Sequence, residues 1–94
     1  MPDFSGHLAT LVEKMLLHRG KRNTRFRVFP PSANTRSYSV ILEESGIREQ
    51  FFIEHAYVER FAESGNEQFV LGSIRAGINN LDRLVTKKKT ARHR

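Results

Sequence analysis

The sequence predicts an α+β fold in the order α-β-β-β-α-α, a three-stranded antiparallel sheet with helices packed on one face. Three observations predict it. Residues 37–54, SYSVILEESGIREQFFIE, alternate side-chain character on both sides of Ser45-Gly46, the pattern of a hairpin. One stretch with helical periodicity precedes this hairpin and two follow it. A sheet with one apolar face needs a second layer to bury it, and the amphipathic helices supply that layer.

The first helix covers residues 5–18. Leu8, Leu11, Val12 and Met15 fall at i, i+3, i+4 and i+7, and Leu16 widens the stripe. Asp3 or Ser5 can cap its start, and Gly20 follows its last turn. His18 and Arg19 suit the negative end of the helix dipole. After a polar, basic connector, Arg25–Phe29 alternates as a strand with Phe26 and Val28 inward and Arg25 and Arg27 outward. Pro30-Pro31 ends it, and proline cannot donate to a ladder, so this strand belongs at a sheet edge.

In the hairpin, a two-residue turn at Ser45-Gly46 pairs Leu42 with Glu49, Val40 with Phe51, Tyr38 with Ile53 and Glu43 with Arg48. Tyr38, Val40, Leu42, Phe51 and Ile53 then share the core face. Ser39, Ile41, Arg48, Gln50 and Phe52 share the other. A three-residue loop would mix the two sets, so the pattern selects the shorter turn.

The period then becomes helical. Residues 55–64 carry Tyr57, Val58 and Phe61, and Gly65 stops them. Residues 66–86 carry Val70, Ile74, Gly77, Ile78, Leu81, Leu84 and Val85 on one stripe, joined by Phe69. Ser64 or Asn66 can cap this helix. Gly72 and Gly77 each weaken a helix by about 1 kcal/mol relative to alanine, so close backbone packing is expected at both. Residues 87–94, KKKTARHR, have no apolar periodicity and read as a flexible basic tail after a single domain spanning 4–86.

A chain of 94 residues buries one modest core, with a stability on the order of 5–10 kcal/mol. No apolar run approaches the roughly 20 residues of a membrane span, so no membrane contact is expected. The start, MPDFSGH, lacks the pattern of a secretory leader. There is no cysteine, which excludes disulfides and thiolate metal sites and makes the cytoplasm, microbial or viral, the expected compartment.

The net charge of +6 is segregated. Residues 19–36 hold six basic groups and no acid, and residues 86–94 hold five and no acid. Residues 37–85 hold eight acids against four basic groups. Lys21, Arg22, Arg25 and Arg27, with Lys87, Lys88, Lys89 and Arg92, are therefore the candidate contacts to nucleic-acid phosphates, which arginine forks match well. Phe29 and Phe52 can stack on bases, and Phe29, Ile41 and Phe52 form a candidate interaction face. The competing reading of the arginines is a solvated strand face paired with Glu43, Glu49 or Glu54. The mixed apolar and basic sheet face could bind a partner, form a homodimer or lie under the first helix.

The element order α-β-β-β-α is similar to that of the double-stranded RNA-binding domain. In that family a Lys-Lys-x-Ala-Lys run opens the helix after the sheet. Here that helix opens with Asn66-Glu67-Gln68 and the lysine run lies at its far end, so the family is not assigned.

Signals for catalysis are poor. His7, His18, His55 and His93 include no pair at i, i+4 spacing, and no metal or cofactor is expected. His55 and Glu59 can meet across a helix turn, most simply as a surface pair. Glu43 and Glu44 point to opposite strand faces and form no carboxylate dyad. The functional expectation is a small non-enzymatic nucleic-acid-binding or nucleic-acid-associated regulator. The alternative is a protein-interaction module, an inhibitor, adaptor or assembly subunit of the phage or bacterial kind. It would act through the sheet face or the acidic helical region from Glu54 to Glu67.

Overall fold

The structure is a computed structural model. It describes the backbone of residues 3–92 and the side chains of residues 3–89. The observed order is α1 (Ser5–His18), β1 (Arg25–Phe29), β2 (Ser37–Glu44), β3 (Ile47–Glu54), α2 (His55–Ser64) and α3 (Gln68–Arg92). The strands form one antiparallel sheet in the order β1-β2-β3. All three helices pack on one face of it, giving a two-layer slab of 50 × 29 × 17 Å.

The hairpin register is the one the sequence predicts. Leu42 faces Glu49, Val40 faces Phe51 and Tyr38 faces Ile53. Ser45 and Gly46 both take positive φ, 55° and 76°, as a type I′ turn requires, and glycine supplies the second position without strain. Tyr38, Val40, Leu42 and Ile53 are buried. Leu8, Leu11, Val12 and Leu16 of α1, Val58 of α2, and Val70, Ile74, Ile78, Leu81 and Val85 of α3 close over them.

Local chemistry fixes the helix ends. The Asp3 carboxylate accepts the Ser5 N–H at 2.8 Å, and Phe4 N–H donates to the Tyr38 hydroxyl at 2.9 Å. At the other end of α1, Lys21 N–H donates to Leu16 O at 2.8 Å around a left-handed Gly20. This Schellman turn sets the direction in which Lys21 leaves the helix. Asn66 Oδ1 accepts the Gln68 N–H and caps α3, whereas Ser64 Oγ turns back onto Arg60 O.

The structure differs from the sequence expectation at several places in α3, among them Leu84, which the stripe places in the core and which is exposed. The helix does not end at Thr86 but continues to Arg92, so residues 87–92 are helical backbone. Lysine, alanine and arginine are good helix formers, and cations are favoured at a helix C-terminus. Residues 93–94 lie outside the described residues. Phe69 does not join the core stripe: it is half exposed and stacks on Tyr57, ring centroids 5.0 Å apart, with Arg60 above it. Gly77 is packed closely, since a Cβ there would clash with the Phe51 ring. Gly72 has open space around it, so close packing does not explain that glycine.

Candidate nucleic-acid interface

Strand alternation carries one set of side chains to the face away from the helices. The pairing aligns them in three cross-strand rows: Arg25–Glu43–Arg48, Arg27–Ile41–Gln50 and Phe29–Ser39–Phe52. Neighbours within a row are about 4.7–4.9 Å apart, and successive rows are about 6.7 Å apart along the strands. No helix covers these rows: Phe52 is 63% exposed and Phe29 43%, with Arg25, Arg27, Arg48 and Gln50 exposed and Ile41 half-buried.

Three arginines face one glutamate across these rows. Arg48 pairs with Glu43 at 3.3 Å. Among the described residues Arg25 and Arg27 carry no ion pair, so the pairing that would have neutralised this strand is limited to Arg48. Arg25, Arg27, Arg48, Glu43 and Ile41 line a shallow recess at the hairpin-turn end of the face. Gln50 Nε2 donates to Ser39 Oγ at 2.8 Å, placing a polar pair between the arginine and phenylalanine rows.

The sequence-predicted cations separate in space. Lys21 lies on the helix side of the sheet and only 15% of its side chain is exposed. It pairs with Glu44 at 3.0 Å and also with Asp82, and Glu44 accepts a further bond from Thr24 Oγ1 at 2.6 Å. Thr24 and the Lys21 ammonium hold the Glu44 carboxyl below its usual range against the opposing effect of burial. Burial pulls Lys21 down, but Asp82 and Glu44 together outweigh it and raise it above the ordinary lysine value. Lys21 is thus a structural cation, and its sequence neighbours Arg25 and Arg27 point the other way. Arg22 is exposed and borders a helix-side recess with Leu16, Leu17 and Phe26.

Lys88 reaches the hairpin turn and donates to Ser45 O at 2.6 Å. Lys87 and Lys89 are exposed on either side of it, and the Lys89 charge also acts on Glu44. The lysine run therefore stands at the same end of the molecule as the Arg25–Glu43–Arg48 row. Arg92 falls within α3, and its side chain lies outside the described residues. Arg48, Ser39 and Gln50 complete the face. The hairpin register places all three there, although their sequence positions carry no charge run to single them out.

A second cleft lies at the opposite end of the sheet, lined by Arg36, Ser37, Glu54, His55, Ala56 and Glu59. The buried His55 ring stacks between Phe4 and Tyr38, with centroids 5.9 and 5.6 Å away. Its Nε2 lies 3.5 Å from Glu59 Oε2, within reach of ion pairing, but neither ring nitrogen makes a hydrogen bond. His55 and Glu59 do meet, with the histidine inside the fold and not on its surface. Ser37 is not hydrogen-bonded to the ring. Among the described residues no three histidine or carboxylate groups converge on a metal position. No described helix is long and apolar enough to cross a membrane.

Comparison with protein-family models, with curated proteins and with solved structures found no match.

Proposed function

We propose that this chain is a small non-enzymatic protein of the cytoplasm that binds nucleic acid, or regulates a process on it, through the open face of its sheet. The observation that carries the reading is the pair Arg25 and Arg27, exposed on one strand and free of ion pairs among the described residues. Guanidinium groups match phosphate oxygens bidentately, and each neutralised phosphate releases counterions. Arg48 and the lysine run extend the same positive end, with Lys87 and Lys89 as its exposed members. Lys21 is left out because Glu44 and Asp82 already occupy it.

Electrophoretic shift assays on DNA and RNA over a salt series test this reading. Binding weakens as salt rises. Reversing both charges, Arg25→Glu with Arg27→Glu, lowers affinity at low salt by roughly tenfold or more and flattens the log–log salt dependence by about 1–2. Affinity indifferent to that double reversal contradicts the proposal.

The exposure of Phe52 supports a second reading, a protein-interaction module or homodimer that buries the same face. That reading gives a stable oligomer, or a complex with a protein partner, whose mass in solution does not depend on added nucleic acid.

A further inference from the structure

We infer that the open sheet face takes single-stranded nucleic acid, with bases stacked on Phe29 and Phe52 and the phosphate chain running along Arg25 and Arg27. The inference rests on the nucleic-acid reading above and specifies its ligand. Arg25, Arg27 and Phe29 follow one another at two-residue steps on the same face of β1, about 6.7 Å apart. Phe52 lies in the same row as Phe29 with the small Ser39 between them, so two aromatic rings flank a gap about 10 Å wide. Phenylalanine offers no hydrogen bond, so what it can give a nucleic acid is a stacking surface, which every base can use. The Ser39–Gln50 pair beside this gap supplies donors and acceptors for base edges.

Shape selects the single strand. A duplex buries its base faces in the stack, where rings standing on a sheet do not reach. Its major groove is about 12 Å wide and admits a helix or a two-stranded ribbon. The face here is three strands wide and backed by helices. A single strand, by contrast, can turn its bases onto the rings while arginine holds its backbone. The free guanidinium groups of Arg25 and Arg27 leave this face with uncompensated positive charge, which favours a polyanionic occupant over a second copy of the chain that carries the same positive face.

Fluorescence anisotropy tests this on the intact chain. The probes are labelled oligothymidylate and oligouridylate of roughly 12 nucleotides, within the range of about 4–16 that one small domain covers, and a hairpin duplex of similar charge. Wild type binds the single strands more tightly than the duplex, with a log–log salt slope near −1.4, about 0.7 for each of the two phosphates that Arg25 and Arg27 neutralise. Phe52→Ala weakens single-strand binding about 5- to 150-fold and leaves the salt slope unchanged, and Phe52→Trp retains binding. Phe52 is exposed, so both variants keep the wild-type circular dichroism. Equal or tighter duplex binding, or a Phe52→Ala variant that binds like wild type while the Arg25→Glu, Arg27→Glu variant fails, overturns the single-strand inference alone. No binding to any probe overturns this inference and the reading beneath it together. So does a dimer that Phe52→Ala dissolves without any oligonucleotide affinity.

Discussion

Lys21 and Arg25 are both cations of one basic segment, and the structure gives them opposite tasks. Lys21 leaves the Schellman turn of α1 towards the helix side, where Glu44 and Asp82 receive it. Arg25 alternates onto the open face and meets no carboxylate there other than Glu43, which Arg48 takes. The Lys21–Glu44 contact shapes the pH dependence of folding. Glu44 keeps its charge below its ordinary value of 4.5, so its contribution is complete above that pH and is lost as pH falls through the lower folded value. Lys21 keeps its charge above its ordinary value of 10.5, so its contribution is complete below that pH and is lost as pH rises through the higher folded value. Stability from this contact is therefore flat between those limits and falls outside them. Lys21→Met is expected to lower the unfolding free energy at neutral pH by about 1–3 kcal/mol and to leave a shallower alkaline flank. Urea titrations across the pH range check this, and an unchanged alkaline flank excludes the pairing. The sequence does not reveal Lys21's role, because its partners lie 23 or more positions away, on β2 and α3, and only the packing of α1 against the sheet and α3 brings them close. The same holds for His55, whose burial depends on Phe4 and Tyr38.

Among the elements, the hairpin is legible and the last helix only partly so. Period-two alternation and a two-residue turn leave the hairpin a single register that separates the faces, and the structure adopts it. Long-range contact decides what the helical stripe leaves open. Gly72 and Gly77 look alike in sequence, yet only Gly77 lies against β3, under the Phe51 ring. Gly77→Ala is expected to destabilise the fold by about 1 kcal/mol or more, because overpacking of about 1–3 kcal/mol exceeds the helix-propensity gain. Gly72→Ala is expected to stabilise it by about 0.5–1 kcal/mol, since nothing meets the added methyl. Thermal unfolding of the two variants reads this directly, and shifts of the same sign would show that Phe51 can move aside freely. The end of α3 was not legible for a related reason. Residues 87–92 carry no apolar period, but their helix formers extend a helix already nucleated by its buried stripe, and Lys88 is fastened to Ser45 O.

At the scale of the whole molecule, a helical layer closes one face of the sheet and leaves the other to solvent. α3 spans 25 residues, about 37 Å, and overhangs the hairpin of two eight-residue strands about 27 Å long. Its lysines consequently stand beyond the hairpin turn, next to the arginine end of the open face. Arg25 and Arg27 of the first basic segment and the lysines of the second thus share one positive end. The aromatic row lies at the other end of the same face, and the acidic residues Glu54 and Glu59 lie past it in the His55 cleft. The most direct measurement is amide and side-chain chemical-shift mapping by NMR as a single-stranded oligonucleotide is added. The largest changes are predicted at Arg25, Arg27, Phe29, Ser39, Ile41 and Phe52, with smaller ones at Lys87 and Lys89. Changes centred on the exposed sides of α1 and α2, with the open sheet face silent, would contradict the assignment of this face as the binding surface.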